Sequence, residues 1–431
     1  MKKVKKKRIL FISQSFPPSI GGVSTLLYNL CCQLNRLDYY ISALHFDVSH
    51  QSPGSAHVLP FIMDYSVSRD ELSSEILRGY AAFKEVLYLH FHDLSPFGYS
   101  DIESIPGYDE YLVCLSVFAK ELASIVRTNE IDLIHLHDYQ LLPLVISIDP
   151  PVPTCVSIHA PITDRISPIV VAWIKKFAIG YDYLVLSIPR YAQILSEKGI
   201  PEHKLAVIAP LMGMELRNAN PSNRLESDIN ASLIISAIQR FDSKSGHVQL
   251  IKAFAKVAEE YPNILLRLVG GKSFTDSISD VRRDYYHQAK SLVYKLGINK
   301  LVRFEGGVDY GDLGNIYENS NIIAILSKME CFGIVVSEAM SYSLPVIVTN
   351  VGGLAFQVEH QKTGLHVPVG NIPETARALS ILVKSQKLRE QYGNAGYERF
   401  LQYFQPKQNL NKQVELYRRM VHEYNSRCNS T

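Results

Sequence analysis

The sequence lacks the patterns that mark several large classes of protein. Its six cysteines in 431 residues form no C-x-x-C pair, so neither a disulfide framework nor a zinc site is indicated. No apolar run reaches the roughly 18 residues of a membrane-spanning helix, so none is expected. The formal net charge is only +2, which gives no argument for nucleic-acid binding. Free thiols in apolar segments instead predict a reducing, cytoplasmic setting.

The N-terminus carries a basic run that is not expected to belong to a signal peptide. It reads Met-Lys-Lys-Val-Lys-Lys-Lys-Arg and then enters the apolar residues 9–12. That apolar run is too short for a signal-peptide core and continues as a strand. Two interpretations stay open: a solvated tail before the first strand, or a weak peripheral contact with anionic lipid at the inner membrane face.

Apolar strands alternate with helical segments along the chain, which predicts an α/β protein with parallel sheets. A length of 431 residues with 47% apolar content is enough for two cores. The first strand, at residues 8–14, leads through Gly21 and Gly22 into a helix over residues 23–37. Two glycines let the backbone approach a ligand closely, although an ordinary turn would also use them. The G-x-G-x-x-G spacing of dinucleotide sites is absent.

Histidines mark the strand ends of the N-terminal half. His135 and His137 are two positions apart and so share one face of a strand over residues 131–138. His159 stands at the end of the next strand, over residues 154–160. A metal site is one interpretation, but no third ligand is placed, and a polar cluster at the strand ends fits better. Residues 39–111 are rich in aromatic side chains and broken by prolines, and core packing explains most of those rings.

The C-terminal half begins after a polar stretch, residues 218–230, that has no apolar period and reads as a linker. A strand over residues 233–238 then leads to Arg240 and Lys244 just before a helix. Cations at that point suit a diphosphate, because they neutralise charge that grows as a leaving group departs. A second strand, over residues 264–270, is followed by Gly271.

Two carboxylates flank a predicted helix over Ile334–Ser341. Glu330 lies in the loop after an apolar strand, and Glu338 lies inside the helix, eight positions later. The first turn of a helix has unpaired N–H groups that can hold a phosphate. Carboxylates accept hydrogen bonds from paired hydroxyl groups. The stretch therefore predicts a site in which the helix start can hold a phosphate and the two carboxylates suit a sugar and a ribose.

This spacing, with the Glu-Cys-Phe-Gly context and the later Gly352-Gly353 turn, resembles the E-x7-E signature of family-four retaining glycosyltransferases. The resemblance implies the GT-B fold, which has two Rossmann-like parallel-sheet domains with an interdomain cleft. It also implies that Glu330 contacts the donor sugar and that Glu338 holds the nucleotide ribose. The backbone groups expected to face the donor belong to Phe332, Gly333 and Ile334.

The resemblance assigns further roles in the same way. It implies that Arg240 and Lys244 stabilise the departing diphosphate and that His159 lines the reacting centre. Gly21, Gly22 and Gly271 would lie beside the donor. Two departures are visible. The family places its lysine five residues after the arginine, where this sequence has Ser245, and it often has glutamate where this sequence has Phe356.

The resemblance also gives the predicted domain plan and activity. An acceptor-side domain would span residues 1–217, a linker 218–230, a nucleotide-sugar domain 231–405, and a terminal helix 406–431 would return to the first domain. The predicted activity is retaining, hexosyltransferase-type transfer from a nucleotide sugar to an acceptor hydroxyl, without metal or other cofactor and without nucleic acid. Two alternatives remain open: a GT-B disaccharide phosphorylase, and a non-catalytic nucleotide-sugar-binding subunit.

Overall fold

The computed structural model describes residues 6–16, 22–46, 59, 61–67, 72–93, 98–148, 150–212, 233–242, 244–271, 285–308 and 312–428. The chain divides into two compact units. The N-terminal unit comprises Met1–Gly213 together with Pro406–Thr431, and the C-terminal unit comprises Met214–Gln405. The linker expected at residues 218–230 lies outside the described residues, so that boundary stays a prediction.

The N-terminal unit is built on a sheet of seven parallel strands in the order β3-β2-β1-β4-β5-β6-β7. Their runs are apolar and mostly buried, as expected for strands covered on both faces. The strands are β1 (Arg8–Ser13), β2 (Tyr40–Phe46), β3 (Ile62–Val67), β4 (Leu133–His137), β5 (Thr154–Ser157), β6 (Tyr183–Leu186) and β7 (Leu205–Val207).

Helices connect these strands as parallel pairing requires. They are α1 (Gly22–Arg36), α2 (Ser74–Phe91), α3 (Tyr108–Thr128), α4 (Leu144–Ile148), α5 (Pro168–Ala178) and α6 (Pro189–Glu197). Residues 39–111, expected to be mostly loops, contain β2, β3 and α2. No proline lies between Pro60 and Pro96, and Ser73 caps α2 by accepting a hydrogen bond from the amide of Ile76 at 3.2 Å. A proline-free interval with a good cap is what permits that helix.

The C-terminal unit repeats the architecture with six parallel strands in the order β10-β9-β8-β11-β12-β13. The strands are β8 (Leu233–Ile238), β9 (Ile264–Val269), β10 (Val302–Gly306), β11 (Ile322–Ile325), β12 (Val346–Thr349) and β13 (Gly364–Val367). The helices are α7 (His247–Glu260), α8 (Tyr285–Lys295), α9 (Leu313–Glu318), α10 (Ile334–Ser341), α11 (Gly352–Gln357), α12 (Ile372–Lys384) and α13 (Gln386–Tyr403). The predicted fold class, two Rossmann-like parallel-sheet domains, is confirmed.

The last helix, α14 (Pro406–Cys428), packs on the core of the N-terminal unit. Its apolar residues recur every three to four positions, which gives one buried face. Leu410, Val414 and Met420 join the cluster that contains Phe11 and Leu27. The chain therefore enters the C-terminal unit and returns to finish the core from which it started. Among the described residues, no helix is both long and apolar enough to cross a membrane.

Candidate active site

In each sheet the strand order reverses at one point, between β1 and β4 in the N-terminal unit and between β8 and β11 in the C-terminal unit. Open parallel sheets bind ligands beyond the carboxyl ends of the strands at such points. In the C-terminal unit, Arg240 and Lys244 follow β8, Gly271 follows β9, and Glu330 follows β11. His159 follows β5, the strand next to β4. The topology thus brings residues far apart in sequence to two sheet edges.

The loops after β8 and β11 are tied together through their backbones. The amide of Lys328 donates to the carbonyl oxygen of Lys244 at 2.7 Å. Gly246 has a φ of +73°, and a Cβ added to it would lie 1.9 Å from the carbonyl oxygen of Leu326. Only glycine permits both the left-handed conformation and that close approach. This contact places the loop of Arg240 against the loop of Glu330.

Ser245, which stands where the family has its lysine, has a structural role within the loop. Its side chain is only 4% exposed. Its hydroxyl lies 2.5 Å from the carbonyl oxygen of Arg240 and 2.7 Å from a carboxylate oxygen of Asp242. The amide of Lys244 donates to the same carboxylate at 2.9 Å. The serine therefore braces the backbone of Arg240.

A hydrogen-bond network that sequence reasoning missed surrounds Glu330. The side-chain amide nitrogen of Gln239 lies 2.6 Å from the hydroxyl of Ser327, and this hydroxyl lies 3.1 Å from Oε2 of Glu330. The hydroxyl of Thr349 donates to the carbonyl oxygen of Ser327 at 2.5 Å. Residues from three strands, β8, β11 and β12, meet here, so side chains from separate segments orient the carboxylate. The only sequence signal was that each polar residue follows an apolar strand.

Tight backbone packing fixes the start of α10. Gly333 adopts a φ of +81° immediately before the helix. A Cβ on Gly353 would lie 2.2 Å from Cα of Phe332, and the amide of Gly353 donates to the carbonyl oxygen of Glu330 at 3.2 Å. The side-chain amide of Gln357 donates to the carbonyl oxygens of Phe332 and Gly333 at 2.5 and 3.1 Å. These contacts fix the backbone that leads into α10.

Glu338 lies deeper than Glu330. Its side chain is 1% exposed and accepts a hydrogen bond from the hydroxyl of Tyr317 at 2.6 Å, whereas Glu330 is partly exposed. A buried carboxylate needs such donors to offset the loss of water. The eight-residue spacing therefore produces two unlike environments, one open and one buried.

The position where the family often has glutamate is part of an aromatic contact. The ring of Phe356 lies 6.0 Å from the ring of Phe404, edge to face. Arg399 donates to the carbonyl oxygens of Phe356 and Gln357, each at 2.7 Å, and pairs with Glu359 at 2.5 Å. Arg399 thus holds the carboxyl end of α11 without an acidic residue at position 356.

The remaining predicted site residues are Gly271, Ile334, Gly22 and Gly21. Gly271 follows β9, and its carbonyl oxygen accepts from the amide of Phe241 at 3.1 Å, beside Arg240 in sequence. Ile334 begins α10. Gly22 begins α1, and a Cβ added there meets nothing within 4 Å, so no close contact requires that glycine. Gly21 lies outside the described residues.

Three histidines form a stack in the N-terminal unit. His135 and His137 share one face of β4, with ring centroids 4.1 Å apart. Nδ1 of His135 lies 2.7 Å from the hydroxyl of Tyr417 on α14, and its Nε2 lies 2.8 Å from the hydroxyl of Ser157. Nδ1 of His137 lies 2.9 Å from Nε2 of His159. Within the described ranges, no group of three or more His, Cys, Asp or Glu residues could hold a metal ion.

Burial keeps these rings neutral. Loss of solvation lowers the pKa of His135 to about 3 and that of His159 to about 4, and it lowers the pKa of His137 well below its usual value. Each protonated neighbour would add repulsion to His137. At neutral pH the stack therefore offers hydrogen bonds and no charge.

Two cavities open in the N-terminal unit. The larger, about 700 Å³, lies between the end of α2, residues 98–103 and the start of α5. Tyr99 and the buried Trp173 line it together with Asp101 and Arg165. The smaller, about 30 Å³, is lined by residues that include the three stacked histidines and Gln413.

Comparison with known proteins finds one family model and several relatives with similar sequences. The model of the family "Glycosyl transferases group 1" matches residues 223–399. A D-inositol 3-phosphate glycosyltransferase of Corynebacterium aurimucosum is 32% identical over 172 residues, which is 39% of each chain. A trehalose synthase of Thermococcus litoralis is 24% identical over 307 residues, covering 69% of this chain and 72% of that protein.

Solved structures share the whole fold at lower identity. Sucrose-phosphate synthase from Thermosynechococcus elongatus covers 97% of this chain and is itself covered completely, with a TM-score of 0.75 and 19% identity. Anabaena HepE in complex with UDP and glucose covers 95% of this chain, and 99% of HepE is covered, with a TM-score of 0.68 and 18% identity.

The chain has the GT-B fold of these solved structures. The residues that match the glycosyl transferases group 1 model, 223–399, include Arg240, Glu330 and Glu338.

The neutral histidines predict a loss of stability in mild acid. The pKa of His135 falls from 6.5 to about 3 on folding, so between these values the unfolded state binds a proton that the folded state does not. Stability then rises with pH across that window and is lost as pH falls. From His135 alone, acidification from about pH 6.5 to pH 5 should lower the free energy of unfolding by roughly 2 kcal/mol.

Urea unfolding at several pH values, followed by circular dichroism, measures this slope. The double variant His135→Leu/Tyr417→Phe removes the buried ring and its hydroxyl partner, and should flatten the dependence. An unchanged slope in that variant would mean that His135 does not cause it.

Proposed function

We propose that the protein transfers a sugar from a nucleotide-sugar donor to an acceptor hydroxyl, with retention of configuration at the anomeric carbon. The observation that carries this proposal is the backbone tie between the loops after β8 and β11, which holds the loop of Arg240 and Lys244 against the loop of Glu330. Two cations and one oriented carboxylate on adjacent loops suit a diphosphate attached to a sugar. The match of residues 223–399 to the glycosyl transferases group 1 model supports the same assignment.

Each group has a distinct task in this proposal. Arg240 and Lys244 stabilise the negative charge that grows on the leaving diphosphate. Glu330, oriented by Ser327, accepts hydrogen bonds from sugar hydroxyls, and the buried Glu338 accepts them from the ribose. An oxygen of the departing diphosphate takes the proton of the acceptor hydroxyl, so no enzyme nucleophile is required.

The proposed transfer needs neither a metal ion nor a further cofactor. The two cations supply the charge that a divalent ion would otherwise bring to a diphosphate. The nucleotide sugar is a substrate in this scheme. The solved relative HepE was crystallised with UDP and glucose, which makes a UDP-sugar the first donor to test.

The donor site predicts a selective loss of activity in two variants. Glu330→Gln and Arg240→Ala should each lower kcat/KM by about 10²-fold or more, because each removes a group that acts on the reacting sugar or diphosphate. A thermal-shift panel of UDP-, GDP- and ADP-sugars first identifies the donor, since a ligand at one hundred times its dissociation constant adds roughly 2.7 kcal/mol. Product NMR then reports the anomeric configuration, and assays with EDTA test metal independence.

Glu398→Gln and Arg303→Ala, at exposed positions of the same unit, are the matched controls. Near-normal turnover in both site variants would refute the site. Transfer that depends on free phosphate would indicate a phosphorylase, and donor binding without turnover across many acceptors would indicate a non-catalytic subunit.

We propose further that the acceptor binds in the cavity of about 700 Å³ in the N-terminal unit. Cavities of this size take ligands as large as a disaccharide. The cavity combines aromatic rings, on which sugar C–H groups pack, with the carboxylates of Asp101 and Glu103. The loop from His159 to Arg165 links it in sequence to the predicted reacting centre.

The acceptor proposal predicts a change in one Michaelis constant only. Tyr99→Ala should raise the KM for the acceptor by about tenfold, which corresponds to roughly 1.4 kcal/mol of lost packing, and leave the donor KM unchanged. Tyr294→Ala, at a ring that is 70% exposed in the C-terminal unit, controls for loss of any surface tyrosine. An unchanged acceptor KM in Tyr99→Ala would place the acceptor elsewhere.

We also propose a cytoplasmic protein that touches the inner membrane face weakly through its basic N-terminus. Lys6 and Lys7 are paired with Asp38 and Asp132 at 2.7 and 2.9 Å, so the contact would rest on Lys2, Lys3 and Lys5. Each such charge adds about 1 kcal/mol at an anionic surface. Replacing these three lysines by glutamine should abolish cosedimentation with phosphatidylserine vesicles, and equal binding to neutral vesicles would contradict the proposal.

A further inference from the structure

His137 is a buried histidine that contacts the predicted catalytic histidine directly. Its side chain is 1% exposed, and its Nδ1 lies 2.9 Å from Nε2 of His159. The two rings are stacked with centroids 5.2 Å apart and an interplanar angle of 11°. Two rings in this geometry share one hydrogen bond and restrict each other's rotation.

Packing alone does not explain a histidine at this position. Nε2 of His137 is buried and has no hydrogen-bond partner among the described residues. An orphaned buried polar atom destabilises a fold, whereas an apolar side chain of similar volume would avoid that cost. The neighbours are compatible with such a side chain, since the ring of Phe11 lies 5.7 Å away. The fold thus retains a destabilising ring that holds His159.

The contact decides which atom of His159 can meet a substrate. Its Nε2 is engaged by His137, and its side chain is partly exposed. The only ring nitrogen left for a ligand is therefore Nδ1. Because the ring stays neutral at physiological pH, Nδ1 can contact a sugar oxygen without bringing a charge to the reacting centre.

We propose that His137 is a positioning residue that holds His159 by Nε2, so that Nδ1 of His159 is the atom presented to the donor sugar. This inference rests on the proposed transfer, in which His159 lines the reacting centre. His137 itself does not touch the substrate. It acts only through the orientation of the neighbouring ring.

The test compares three variants at the same stack. His137→Leu keeps the volume but removes the bond, and we expect kcat to fall about tenfold, with little change in donor KM and an unchanged or higher Tm. His137→Asn places an amide near the former Nδ1 and should recover most of the loss. Tyr417→Phe is the control: it removes the hydroxyl bonded to His135 while leaving the His137–His159 contact intact, and it should retain normal kcat.

Several outcomes would overturn the proposal. Normal kcat in His137→Leu would remove the positioning role. A large fall in Tm with parallel loss of activity in both His137→Leu and Tyr417→Phe would show a role in packing only. Failure of His137→Asn to improve on His137→Leu would show that the hydrogen bond is not the cause.

A second measurement separates this inference from the proposed function. In ¹⁵N-histidine-labelled protein, the His159 ring signals are assigned by their absence in His159→Gln. We expect His137→Leu to shift Nε2 of His159, and addition of the nucleotide-sugar donor to shift Nδ1. The first shift tests the contact even if no transfer is found. A donor response at Nε2 instead of Nδ1 would contradict the proposal.

Discussion

The candidate site depends on the close approach of two backbones at the switch point of the C-terminal sheet. Gly246 lies so near the carbonyl of Leu326 that no other side chain fits, and the amide of Lys328 bonds to Lys244 across the same gap. Parallel strands converge their carboxyl ends on one edge, but they do not by themselves bring two loops into contact. Gly246 permits that contact, and the contact holds the loop of Arg240 against the loop of Glu330.

The two units place their polar groups by different means. In the C-terminal unit, hydroxyl and amide side chains such as Ser327 and Gln239 orient a partly exposed carboxylate. In the N-terminal unit, burial suppresses the charge of His135, His137 and His159, and a hydrogen bond between rings orients the outermost one.

The departures from the family pattern are accommodated locally. Ser245 stands where the family has a lysine, and its hydroxyl donates a hydrogen bond to the carbonyl oxygen of Arg240. Phe356 stands where the family often has a glutamate, and its ring takes part in an aromatic contact. Arg399 donates a hydrogen bond to the carbonyl oxygen of Phe356 near the end of α11. In each case a residue that looks like a lost functional group is part of the support for one that remains.

The sequence by itself determined the fold class, because apolar runs alternating with helical segments predict parallel sheets. It also supplied the site prediction, because Glu330 and Glu338 stand at a recognisable spacing. It could not determine that α2 occupies the aromatic segment, since prolines at both ends obscure the helix between them.

Only the tertiary structure decided which residues support the site. Gln239 reaches Ser327 across 88 positions, and His135 reaches Tyr417 across 282. The tertiary structure also made Glu338 buried and Glu330 open. Spacing along a chain reports which face of an element a residue occupies, whereas depth and partners depend on what other segments pack against it.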